Sequence, residues 1–206
     1  DFKGIFRQSP ATNEDIIIKN ITIKCNKTDN TPKYGIFTGD SENFNLNAQT
    51  VIFRNCIILN NNNKGVNNSS FIGPFCTNGN IIFDNCIAIN NNISKKNGAF
   101  ISKKCNLNKV SIRNCYSIIN AKTSETTLSG FIGTDFGNSS SIINISNCLA
   151  LIQSPSTPFA GLINDYMLET DKITINNCIT TQGTAGINGN ITSITEWDSA
   201  AKKFNL

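Results

Sequence analysis

The sequence predicts an all-β chain, a single-stranded right-handed parallel β-helix (β-solenoid) of about six coils of ~30 residues. Three observations predict it. A tetrad ending in Asn-Cys returns five times, its cysteines separated by 30, 29, 33 and 30 residues. A short alternating apolar segment opens each copy, and a second apolar motif recurs between copies. A fixed period in this range marks stacked repeats, each of them one turn with no core of its own. Right-handedness is expected because parallel crossovers are almost always right-handed.

The tetrads are Phe53-Arg54-Asn55-Cys56, Phe83-Asp84-Asn85-Cys86, Ile112-Arg113-Asn114-Cys115, Ile145-Ser146-Asn147-Cys148 and Ile175-Asn176-Asn177-Cys178. Aligned on them, the rungs start at Ile16, Val51, Ile81, Val110, Ile143 and Ile173. Positions one and three are always apolar, and position four is usually polar. Such period-two alternation rich in β-branched residues predicts a strand with one face buried. Helix signals are poor, since β-branched residues and Asn dominate.

Position five is Asn in every rung: Asn20, Asn55, Asn85, Asn114, Asn147 and Asn177. Asn fills 34 of the 206 positions, too few for six coincidences out of six. Asn tolerates left-handed backbone geometry, which suits a sharp bend between strands. Stacked Asn side chains can also bond to one another along the axis.

The second motif runs small residue, bulky apolar, aliphatic, then small or polar. Its copies are Gly35-Ile36-Phe37-Thr38-Gly39, Ser70-Phe71-Ile72-Gly73, Ala99-Phe100-Ile101-Ser102, Gly130-Phe131-Ile132-Gly133 and Gly161-Leu162-Ile163-Asn164. Polar stretches of varying length separate the elements, as loops on a solenoid do. Residues 1–190 form the expected repeat domain. Residues 191–206 lose the pattern and are expected to cap it or lead out of it. The chain begins at Asp1, so a mature or trimmed segment is expected, with further coils able to precede it.

Seven of the eight cysteines fall into two columns. Cys56, Cys86, Cys115, Cys148 and Cys178 share one, with Ile21 in the first rung, which points to an inward slot. Cys76 and Cys105 share the other, continued by Phe136 and Met167. Three roles remain open: buried thiols acting as small hydrophobes, disulfides between adjacent rungs with Cys76–Cys105 best placed, and metal binding. The last needs convergent ligands, whereas these are strung out and the chain has no His. No metal or cofactor is expected.

With the thiols inside, the next residues point out. There lie Ile57, Ile87, Tyr116, Leu149 and Ile179, with Leu59, Ile89, Ile118 and Leu151 beside them. This apolar stripe is a candidate interface with another protein or another copy. A covering loop, or an inverted inside–outside assignment, is the alternative.

Catalytic patterns were sought and not found. Glycan chemistry on a β-helix needs paired carboxylates, or a carboxylate with a base, on one sheet face. Asp135 and Asp165 are 30 residues apart, but nothing else in the sequence converges on them, and solvated loop edges suit both. A net charge of +4, dispersed along the chain, lacks the clustered footprint of a nucleic-acid binder. No apolar run approaches the ~20 residues of a membrane span. Of the Asn-x-Ser/Thr sequons, Asn68, Asn92 and Asn138 are the best placed to carry glycans.

The opening Asp1-Phe2-Lys3-Gly4-Ile5-Phe6, the Asn114-Cys115-Tyr116-Ser117 motif and Gly130-Phe131-Ile132-Gly133 together resemble the GLUG-type right-handed β-helix repeats of bacterial surface proteins and giant-virus repeat proteins. The double glycine of that pattern is mostly lost here. The resemblance implies architecture and a surface or particle setting, without a catalytic set. The expected function is therefore a non-catalytic structural or adhesive β-solenoid of a cell surface, virion or extracellular fibre. It would act by packing against protein, through self-assembly or on another surface or particle protein. A glycan-active or carbohydrate-binding β-helix is the alternative.

Overall fold

The computed structural model describes residues 14–25, 35, 37, 44–47, 49–60, 71–91, 98–120, 129–133, 135–153, 162–163, 172–180 and 191–192. These are nearly all parallel β, stacked coil on coil into a β-solenoid. The first sheet is built from β1 (Ile16–Lys19), β4 (Thr50–Arg54), β7 (Asn80–Asp84), β9 (Lys109–Arg113), β11 (Ile142–Ser146) and β13 (Ile173–Asn176), in that spatial order. The second runs β2 (Thr22–Cys25), β5 (Ile57–Asn60), β8 (Ile87–Asn91), β10 (Tyr116–Asn120), β12 (Leu149–Gln153), β14 (Cys178–Thr180) and β15 (Ile191–Thr192). A short third sheet pairs β3 (Phe44–Asn45) with β6 (Cys76–Thr77).

The register is the one that the Asn-Cys tetrads dictate. Ile16 lies beside Val51, Val51 beside Ile81, Ile81 beside Val110, Val110 beside Ile143 and Ile143 beside Ile173. The second motif is also in step, with Ile72, Ile101, Ile132 and Ile163 bridged in sequence. Ile191 and Thr192 pair with Cys178 and Ile179 at the end of sheet two.

Each coil turns from sheet one into sheet two at its Asn. Asn20, Asn55, Asn85, Asn114, Asn147 and Asn177 all hold φ between 51° and 57°. That left-handed region penalises most residues with a Cβ, while Asn compensates with its short polar side chain. From Asn20 to Asn147 the bend aims each Asn N–H at the position-four carbonyl of the next coil, as in Asn55 to Asp84 at 3.1 Å. A second bend was hidden in the sequence. Phe75, Lys104 and Asp135 take φ of 63°, 56° and 54°, just before Cys76, Cys105 and Phe136.

The interior is one contiguous apolar column. Positions one and three of sheet one face it, as do Ile58, Ala88 and Ala150 of sheet two. Its densest part is aromatic: Phe37, Phe53, Phe71, Phe83, Phe100 and Phe131 are all buried. Phe53 and Phe83 stack at 5.0 Å between ring centres, and Phe71 meets Phe83 edge-on at 5.1 Å. Offset and edge-on pairs suit the ring quadrupoles and add to the area buried. Small residues let the coils close up: a Cβ on Gly98 would lie 2.3 Å from the Phe131 carbonyl oxygen.

Candidate functional site

Repeated side chains in a solenoid form columns, and three columns carry what chemistry this chain offers. The first is the thiol column. Cys56, Cys86, Cys115, Cys148 and Cys178 are buried free thiols. Each follows a left-handed Asn, so it turns inward over its own strand end. Cys148 Sγ thus donates to Ser146 O at 3.0 Å, and Cys86 Sγ reaches Phe53 O in the coil below at 3.4 Å. The five stack coil on coil, each tied to the next by a backbone bond such as that from Ile87 N to Cys56 O at 2.9 Å.

Burial pushes the Cys56, Cys115 and Cys148 thiols up, and the Cys115 contact does the same for Cys86. Cys178, at the column's end, differs. The neighbouring Cys148 thiol favours its thiolate. In the second column Cys76 and Cys105 lie in register, both buried and free. Burial raises both, Cys105 to about 12. Phe44 and Phe136 fill the column around them. Such protonated thiols are poor nucleophiles and poor ligands, and they serve the packing. Among the described residues no three Cys, Asp or Glu side chains gather into a metal cage. Ile21 holds the first thiol slot by its backbone bond to Ile57, yet is 38% exposed because sheet one ends at its coil.

The Asn ladder is the second column. Asn55 Nδ2 donates to Asn20 Oδ1 at 3.1 Å, Asn85 to Asn55 at 2.9 Å, Asn147 to Asn114 at 3.2 Å and Asn177 to Asn147 at 2.8 Å. One step departs from the pattern: Asn114 Nδ2 turns to Asp84 Oδ1 at 3.4 Å. A carboxylate is the stronger acceptor. Asn138 belongs to a parallel ladder, donating Nδ2 to Asn106 Oδ1 at 2.7 Å while its own oxygen receives Ser140. It is half-buried, so this sequon offers glycosylation a tethered amide. Asn68 and Asn92 lie outside the described residues.

The third column is the apolar stripe, and it does lie on the outward side of sheet two. Its residues alternate with fully buried Ile58, Ala88, Ser117 and Ala150, and Tyr116 and Leu149, though buried, lie outside the contiguous apolar column. The stripe is less open than the sequence suggested. Ile57, Ile87 and Ile179 are half-buried, Tyr116 is 8% exposed and Leu149 is enclosed. Stacking in register explains part of this, because like side chains one strand apart shield each other's flanks.

Sequence reasoning missed a charge network on the outward side of sheet one. Position four carries Arg54, Asp84 and Arg113 on successive strands. Arg113 Nη2 donates to Asp84 Oδ2 at 2.9 Å, and Arg54 Nε approaches the same oxygen at 3.5 Å. The Arg113 hydrogen bond, helped by its charge, holds the Asp84 carboxyl below its usual range. The signal was present in the aligned rungs, where Arg, Asp and Arg follow one another at position four. Asp135, by contrast, stands exposed at its bend, and Asp165 lies outside the described residues.

No family model matches the chain, and neither the curated proteins nor the solved structures contain a match to it.

Proposed function

We propose that this chain is a right-handed β-solenoid of six coils, serving as a non-catalytic structural or adhesive element of a cell surface, virion or extracellular fibre. It acts by packing against protein, either a further copy or another component of the same surface. The strong preference of parallel crossovers for one hand supports the handedness. The six strands of sheet one, one per tetrad-bearing rung plus the first, support the coil count.

One observation carries the functional reading. The recurring Asn amides bond mostly to their counterparts in adjacent coils, and the thiols to backbone carbonyls of their own and the neighbouring coil, instead of converging on a point. Chemistry that turns over a substrate needs several different groups around one position. A ladder of identical groups propagates a shape. The outward Ile57, Ile87 and Ile179 give that shape an apolar edge, and the GLUG-type resemblance supports a surface setting.

Sedimentation of the purified chain across a concentration series tests the reading. Association that Ile57→Glu with Ile87→Glu abolishes, while the strand signal in circular dichroism persists, is the expected result. A monomer at every concentration that cleaves an added polysaccharide would overturn it.

A further inference from the structure

Stacking brings some of the charges dispersed along the chain onto one face. Outward positions of sheet one carry Lys19, Arg54, Lys109 and Arg113. Against these four cations stands one carboxylate on the same strands, that of Asp84, a net of +3 for the face. The face is open: the Arg54 and Arg113 side chains are 49% and 48% exposed, and Ile17 beside them is 60% exposed.

The face already holds one carboxylate, that of Asp84, between the guanidinium groups of the coils on either side. Each guanidinium has five N–H donors in a planar fork, and Asp84 occupies only part of each. The remaining donors belong to half-exposed side chains. Lys19, Arg54 and Arg113 stand on one line along the stack, Arg54 and Arg113 two strand spacings apart, about 10 Å.

We propose that this face binds a linear acidic polysaccharide, laid along the solenoid axis with its carboxylates against Arg54, Arg113 and Lys109. Its other outward residues suit sugar. Ser111, Asn144 and Asn176 are short donors and acceptors for hydroxyl groups, while Ile17, Ile52 and Ile82 offer an apolar strip to the C–H faces of the rings. Single-stranded nucleic acid needs aromatic platforms for its bases, and the described outward positions of this sheet carry no aromatic side chain. Asp84 acts as an internal competitor, since it repels the ligand and occupies the two arginines. The site is separate from the apolar stripe, which lies on sheet two.

Binding of sodium alginate, measured by calorimetry at low salt against dextran and a thymidine oligonucleotide, tests the proposal. The native chain should bind alginate and leave dextran free. Lys109→Gln with Arg113→Gln should weaken binding at least about tenfold, the scale of one lost charge-assisted contact. Asp84→Asn should strengthen it. Lys19→Gln with Lys109→Gln leaves the Asp84 bracket intact and should also weaken binding, which guards against a folding effect of Arg113. Failure to bind alginate would overturn the proposal. So would native affinity in both double variants, or tighter binding of the oligonucleotide than of alginate.

Discussion

Asn177 donates its side-chain amide to Asn147 Oδ1 at 2.8 Å, across 30 residues of chain. Both residues hold left-handed backbone, with φ of 51° and 53°, so a single residue type supplies the bend and the bond. Asn147→Ala loses both. It should cost about 2 kcal/mol in urea unfolding, combining left-handed strain with exposed hydrogen bonds. Asn147→Gly keeps the backbone and loses only the ladder, so it should cost less. Equal losses would show that the backbone conformation contributes nothing.

Phe83 touches Phe53, Phe71 and Phe100 at ring separations of 5.0, 5.1 and 5.0 Å and is fully buried. Phe83→Ala should therefore destabilise by about 3–5 kcal/mol, and Phe83→Leu by clearly less. Chemical denaturation measures both, and a wild-type midpoint for Phe83→Ala would contradict the aromatic column.

Ser117 sits between Ala88 and Ala150, buried, with no hydrogen-bond partner for its hydroxyl. Removing an unpaired buried hydroxyl relieves a desolvation cost. Ser117→Ala should raise stability by about 1 kcal/mol. A drop in the denaturation midpoint would mean that the hydroxyl is bonded.

Asp84 has its pKa lowered in the folded chain by Arg113. The ion pair therefore adds stability above the ordinary carboxylate value of about 3.9, and loses it as pH falls through and below that value. Half-exposed arginines keep the effect small. Asp84→Asn should flatten the acid limb of a melting-temperature profile and leave the neutral region little changed. A profile of unchanged steepness would discount the pair.

The buried thiols give the opposite limb. Their raised values favour the protonated form, so the stability they contribute is present below about pH 8.5 and is lost as pH climbs above it. A thiol reagent at neutral pH should leave Cys56, Cys76, Cys86, Cys105, Cys115 and Cys148 unmodified until denaturant is added. Cys178, whose thiolate is favoured by Cys148, should label first. Rapid labelling of Cys115 in the native chain would contradict its burial.

The first sheet and the bend at each Asn-Cys tetrad were legible because one residue type answers one local demand. Only Asn combines left-handed tolerance with a bondable amide, so its recurrence marked the register. The second bend was illegible for the converse reason. Phe75, Lys104 and Asp135 share a conformation but no chemistry, and there the fold imposes the backbone on unwilling residues. The charged face needed register as well as composition, since Arg54, Asp84 and Arg113 meet only once the coils are stacked. Burial of Leu149 was beyond a pattern argument, because alternation assigns a side to a residue and says nothing of what lies over it.

Parallel stacking in this register is the claim on which the rest depends. Nuclear Overhauser contacts between backbone protons of sheet one test it most directly. The account predicts that Ile82 is linked to Ser111 and Ser111 to Asn144, their partners on neighbouring strands. Contacts shifted by one residue, an antiparallel pattern, or none between these segments would contradict it.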